Sequence, residues 1–252
     1  MQLTLLGTGN AAGVPLYGCE CEYCARARKE RNLQRTPCSA LLETDDKRFL
    51  LDAGQVNLCE QFPAGSLDGI FLTHFHPDHV QGLFHMRWGI GKTIPVYTPP
   101  DAGGYVDLYK HPGILEFIPQ QKFESFCLGE VEIAPVPLLH SKPTFGFVFK
   151  QAGECIAYLT DTKGLSPRTA SYMTDLQLDL MVIDCSYVPG SEEMGHNNLD
   201  DVLAIDAQLR PKRTILTHVG HDLDIWFNNN KGCLPSHIII GRDGMTVYPI
   251  PA

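Results

Sequence analysis

Residues 73–82 read THFHPDHVQG. His74, His76, Asp78 and His79 thus supply four donors of the kind that hold metals within six positions. On an extended chain, residues 74 and 76 project to the same side. Pro77 ends the strand, so that Asp78 and His79 turn toward the same space at the start of a helix. A merely solvated turn gains nothing from this density, because beside the apolar run GIFL it brings desolvation and repulsion. Four ligands packed in this way serve two metals.

The segments around this stretch follow one rule. Of the apolar runs, short and rich in Leu or β-branched residues, several end in a residue that can bind metal or orient a ligand: Asp52, His74, His140, Asp161, Asp184 and His218. FLTH at 71–74 and ILTH at 215–218 are near copies, and YLTD at 158–161 is a variant. Eleven apolar runs in all, starting at residues 2, 39, 48, 69, 93, 131, 144, 155, 178, 214 and 237, read as strands. CARARKERN after Cys24, DHVQGLFHMRW from Asp78 and NLDDVLAIDAQL from Asn198 read as helices, with Asn198 a candidate N-cap. The pattern is α/β, and in α/β sheets sites gather where strands leave the sheet.

With 252 residues, 44% of them hydrophobic, the chain is expected to form one domain over 1–252. The net charge of -9 and the lack of a Lys/Arg-rich run argue against long nucleic acid as a partner. Nine cysteines, an odd number in a long chain, do not suggest a disulfide scaffold. Met1–Leu6 begins a strand-like run without a basic leader, so the expected compartment is the cytoplasm. No apolar stretch approaches the ~20 residues that span a bilayer.

HFHPDH at 74–79 resembles the H-x-H-x-D-H signature of the metallo-β-lactamase superfamily. The likeness continues in order through LLDAG at 50–54, His140, Asp161 and His218. It implies a four-layer αβ/βα sandwich of two similar halves with a dinuclear site at one edge. It also implies that His74, His76 and His140 hold one metal and that Asp78, His79 and His218 hold the other. Asp161 would bridge the two, and Asp52 would orient a histidine from behind. Two divalent ions roughly 3.5–4 Å apart activate a shared water and clamp a phosphoryl group, so the expected reaction is hydrolysis by a metal-bridging hydroxide. Nitrogen and carboxylate donors suit Zn, Mn and Fe alike, and a carboxylate bridge keeps Mn among the expected ions with Zn.

Within this superfamily, GCECEYCARAR at 18–28, RWG at 87–89, KHPG at 110–113, LLHSKPTFGF at 138–147, LTDTKGL at 159–165, DCS at 184–186, GHNNLD at 195–200 and ILTHVGH at 215–221 resemble the phosphodiesterase of the carbon–phosphorus lyase pathway. That resemblance implies opening of 5-phosphoribosyl 1,2-cyclic phosphate to ribose 1,5-bisphosphate in phosphonate catabolism, by a homodimer acting on a small molecule. His196 is then expected to meet the scissile phosphate and protonate the leaving oxygen, and Asp78 to share in catalysis. Lys142 and Arg87 are candidates, by position and charge, for holding a second phosphate. The rivals are a ribonuclease Z-like transfer-RNA processing nuclease, a pyrroloquinoline quinone biosynthesis protein of the same fold, and a zinc-binding scaffold without turnover.

Cys19, Cys21 and Cys24 form a C-x-C-x2-C trio in a loop at about 17–38. Neighbouring thiols this close make a strained disulfide but serve well as three corners of a zinc tetrahedron. Cys38, Cys233 and His221 are candidates for the fourth, and the family resemblance selects His221. Gly220 is expected to free the chain to turn, so that His218 faces the catalytic metals and His221 faces a structural zinc. Cys59, Cys127, Cys155 and Cys185 read as core thiols.

Overall fold

The computed structural model describes residues 1–250. Two seven-stranded sheets form it. The first is built from β1 (Gln2–Gly7), β2 (Ser39–Glu43), β3 (Arg48–Leu51), β4 (Gly69–Phe71), β5 (Ile94–Thr98) and β6 (Leu115–Pro119). The second takes β7 (Phe126–Leu128), β8 (Val131–Pro137), β9 (Phe145–Gln151), β10 (Glu154–Leu159), β11 (Leu180–Asp184), β12 (Thr214–Thr217) and β13 (Ile238–Ile240). The chain then crosses back, and β14 (Thr246–Val247) pairs with β1 on the first sheet. β3 to β6 run parallel, as do β10 to β13, so their carboxyl ends collect along common edges.

These strands read as unbroken apolar runs because they are buried on both faces. In β3, Phe49 and Leu51 face the space between the sheets, while Leu50 faces outward toward the helices. In β11, Leu180 and Val182 point inward and Met181 and Ile183 outward. Three buried layers of side chains result: one between the sheets and one beneath the helices on each outer side. The architecture is therefore the expected αβ/βα sandwich. Phe71 at the end of β4 lies 5.1 Å from Phe147 and 5.3 Å from Phe149 of the other sheet, edge to face. This aromatic contact joins the halves directly below the histidine run.

Local structure departs from the sequence reading in several places. The helix expected after Cys24 begins at Glu22 and ends at Ala27, with Cys21 as its N-cap accepting from the Cys24 N–H. The segment from Asp78 breaks into two helical turns, Pro77–Val80 and Leu83–Met86. Leu199–Leu209 forms as expected, and Asn198 and Asp201 make a reciprocal capping box. β6, β7 and the helices Val106–Lys110, Pro167–Thr174 and His221–Asn229 were not expected. Cys155 and Cys185 are buried, but Cys59 and Cys127 are exposed and so are not core thiols. No helix among the described residues is long and apolar enough to cross a membrane.

Candidate metal centre

β4 ends at Phe71, so His74 and His76 lie beyond the ladder rather than on it. The alternation nevertheless holds, because Phe75 between them is fully buried in the outer core and turns both histidines the other way. Pro77 opens the next helical turn and brings Asp78 and His79 to the same side. The LLDAG turn lies beneath them: a Cβ at Gly54 would stand 2.2 Å from the carbonyl oxygen of Asp78. His140 follows β8, Asp161 follows β10 and His218 follows β12. Asp52 and His218 both leave their strands with left-handed backbone, φ 55° and 56°, which costs a non-glycine residue about 1–2 kcal/mol.

The expected ligands converge in two groups that share Asp161. One comprises His74, His76, His140 and Asp161, the other Asp78, His79, Asp161 and His218, with the donor atoms of each group within 4.8 Å of one another. Oδ2 of Asp161 lies 3.2 Å from Nε2 of His79, 3.5 Å from that of His218, 3.6 Å from that of His74 and 3.8 Å from that of His140. Oδ2 of Asp78 is 3.5 Å from Nε2 of both His79 and His218. Burial alone would raise the pKa of Asp161, but His218 and His79 outweigh it and hold the carboxyl well below the usual range.

What aims these nitrogens is the grip on the far side of each ring. Nδ1 of His79 donates to Asp52 at 2.9 Å, that of His140 to the Gly195 carbonyl at 2.9 Å, that of His218 to Ser186 Oγ at 2.9 Å, and that of His74 to Thr73 Oγ1 at 3.1 Å. Asp52 is fully buried and also accepts the Thr73 N–H and hydroxyl. Nε2 of His79 is buried without a hydrogen-bond partner. Nδ1 of His76 lies only 2.9 Å and 3.0 Å from Nε2 of His74 and His140. A buried nitrogen without a hydrogen-bond partner, and three imidazole nitrogens gathered this closely among carboxylates, fit divalent cations.

His196, remote in sequence, belongs to the same centre. Its ring stacks on His218 with centroids 4.7 Å apart and lies 4.9 Å from His140. Nδ1 donates to Oδ2 of Asp184 at 2.7 Å. Burial disfavours the charged ring, yet the Asp184 carboxylate and its hydrogen bond raise the pKa to about 9. Asp184 was noted in the sequence among the run-ending residues that can bind metal or orient a ligand, without a partner assigned to it. Here it is fully buried, and its other oxygen accepts from Ser186 Oγ at 2.7 Å, the hydroxyl that receives His218. One carboxylate therefore positions both His196 and His218.

Arg87 does not face this centre. Its guanidinium pairs with Asp107 at 2.6 Å, donates to the carbonyls of Asp107 and His111, and stacks over Phe84 and Trp88. It is a structural cation.

Cys19, Cys21, Cys24 and His221 form a separate group within 4.8 Å. Nε2 of His221 lies 3.4 Å from Cys21 Sγ and 3.7 Å from Cys19 Sγ, close to the ~3.5 Å separation that tetrahedral zinc bonds of about 2.0–2.3 Å impose. The Cys24 N–H and His221 pull the pKa of Cys21 down to about 6. Cys38 points elsewhere, with Sγ against Tyr158 and Thr217, and burial pushes it up to about 12. Gly220 has a different role from the one expected. Its backbone is ordinary extended chain, but a Cβ there would stand 2.4 Å from the Ser186 carbonyl, so glycine serves close packing. The turn itself falls at His218. We expect His221→Ala to lose one zinc per chain, measured by atomic emission, with the catalytic-site ions retained; unchanged zinc content would contradict the assignment.

The chain spans 97% of its own length in matching an octanoyltransferase of Porphyromonas gingivalis, at 28% identity, but only 51% of that protein, or about half its length. It is 24% identical to a ribonuclease Z of Macrococcus caseolyticus, over 88% of this chain and 89% of that one. A solved diphosphatase from the PhnP family superposes with a TM-score of 0.82 at 27% identity, covering 98% of this chain and 96% of that chain. The beta-lactamase superfamily domain matches residues 47–219, which hold the whole His/Asp cluster and stop short of the cysteine trio and His221. Since that match takes in more than half of its residues, the chain belongs to the beta-lactamase superfamily.

Proposed function

We propose that the chain is a dinuclear metal-dependent phosphodiesterase that opens 5-phosphoribosyl 1,2-cyclic phosphate to ribose 1,5-bisphosphate. The observation that carries this reading is His196, which is held by Asp184 at the rim of the centre and gathers with Asp161, Asp184 and His218 within 4.8 Å, beside the two groups of expected ligands. Breaking a phosphodiester expels an alkoxide, which needs a proton. His196 Nδ1 is committed to Asp184, leaving Nε2 to deliver one. Divalent ions held by the His/Asp cluster would supply an ionisable water and a positive clamp on the phosphoryl oxygens. Asp161, Asp78 and the five histidines of the two groups would hold those ions, and Asp52 and Ser186 orient His79 and His218 from behind. The -9 charge favours a small molecule over transfer RNA.

A second reading, hydrolysis of a diphosphate, is favoured by the likeness to the diphosphatase. The same residues serve it, and only the leaving group differs. A substrate comparison on metal-loaded protein separates the two. We expect kcat/KM on the cyclic ribosyl phosphate to exceed that on a 2′,3′-cyclic nucleotide, an aryl diester or a dinucleoside diphosphate by at least about tenfold. Preference for the diphosphate would favour the second reading, and turnover of a lactam alone would sink both.

A further inference from the structure

We propose that Lys142 binds a second anionic group of the substrate, a phosphate monoester carried on the same small molecule whose diester is cut. The inference rests on the phosphodiesterase reading above and names a specificity residue for it.

Lys142 lies in the loop that returns from β8 to β9, closed at its base by the Leu138 N–H on the Thr144 carbonyl at 2.9 Å. The loop holds His140, and Ser141 Oγ lies 3.4 Å from Nε2 of His76. Two residues of chain span at most about 7 Å, so the Lys142 backbone sits beside the His76/His140 group. The side chain is partly exposed, 32%. Its one ionic partner among the described residues is Asp101, from the loop after β5 on the other sheet. The pair thus bridges the two halves at the rim of the centre.

The pairing is loose on one side only. Oδ1 of Asp101 accepts the N–H groups of Gly103 and Gly104 at 2.9 and 3.0 Å, which fixes the carboxylate. Oδ2 is buried and makes no hydrogen bond, and Lys142 Nζ stands 3.8 Å from it. That distance gives Coulomb attraction but no hydrogen bond. The ammonium is therefore drawn toward Asp101 with its three donors uncommitted to protein among the described residues, the state of a phosphate site before its ligand arrives. Competing cations are spent: Arg87 on Asp107 and Lys163 on Asp201 at 2.6 Å. Beside four buried carboxylates, Asp52, Asp78, Asp161 and Asp184, this cation gives a phosphorylated substrate a favourable landing point.

The test compares wild type, Lys142→Ala and Lys142→Arg on 5-phosphoribosyl 1,2-cyclic phosphate, on the same cyclic phosphate lacking the 5-phosphate, and on bis(p-nitrophenyl) phosphate. Lys142→Ala should raise KM on the first by on the order of 10- to 100-fold, with kcat nearly unchanged. It should leave the other two substrates unaffected, and Lys142→Arg should recover most of the loss. Equal effects on all three substrates, or none, would overturn the proposal while leaving the phosphodiesterase reading intact. If wild type cleaves no diester, that reading falls. Calorimetric titration with ribose 5-phosphate then decides Lys142 independently: weaker binding by Lys142→Ala supports it, and equal binding overturns it.

Discussion

Asp161→Ala is expected to lose turnover by about 10³-fold or more and to lose at least one of the ions of the His/Asp centre. The carboxylate is nearly fully buried, and its Oδ2 lies within 3.8 Å of four histidine nitrogens that come from three different loops and two sheets. No other side chain belongs to both ligand groups while also touching ligands on each side. Without it, each group keeps three donors but lacks the shared atom that would set the spacing of two bound ions. Several kcal/mol of transition-state stabilisation depend on that spacing, and each 1.36 kcal/mol is a factor of ten in rate. Atomic emission and circular dichroism should show fewer catalytic-site ions, an intact fold, and zinc still bound at the cysteine cluster. Full metal content and turnover in Asp161→Ala would refute a bridging role.

His196→Ala is expected to reduce kcat on the cyclic ribosyl phosphate by about 10² to 10⁴, the usual worth of a positioned general acid. The same substitution should cost far less on bis(p-nitrophenyl) phosphate, whose leaving group departs without a proton. Asp184→Asn should follow the same leaving-group dependence, because Asp184 holds His196 at 2.7 Å. It should also weaken metal binding, since the Ser186 hydroxyl it orients receives His218. A loss below about threefold on the cyclic substrate, or equal losses on both substrates, would remove His196 from proton transfer.

The metal cluster was legible because its signal is chemical density. Four donors in six residues beside an apolar strand have few other uses, and each later ligand stands at the end of a run that could be read as a strand. Asp184 was named among the run-ending candidates, but its partners were hidden. An Asp at a strand end is ordinary, and its importance comes from Ser186, His196 and His218, which only the fold assembles. His196 was singled out through the family resemblance, and its hold on Asp184 is what only the fold shows.

Elsewhere the sequence failed where partners are non-local. HIIIGRDGMTVYP at 237 reads as one run, yet β13 joins the second sheet and β14 the first. Asp243 sits between them and is bound by Thr8 and Thr36 from far upstream. β6 alternates weakly because it is an edge strand with mixed exposure. Cys59 and Cys127 sit in apolar stretches whose thiols point outward, a side no local pattern specifies. Gly220 was rightly singled out but for the wrong reason, since a close approach to Ser186 leaves no trace in the residues around it.

The most direct measurement of the proposed chemistry is hydrolysis of 5-phosphoribosyl 1,2-cyclic phosphate by metal-loaded protein in ¹⁸O-labelled water, followed by phosphorus NMR and mass spectrometry. Attack at phosphorus, with His196 protonating the departing sugar oxygen, is expected to give ribose 1,5-bisphosphate carrying one ¹⁸O in a phosphate. Label on the sugar carbon, or no consumption of this substrate by protein with a full complement of metal, would contradict it.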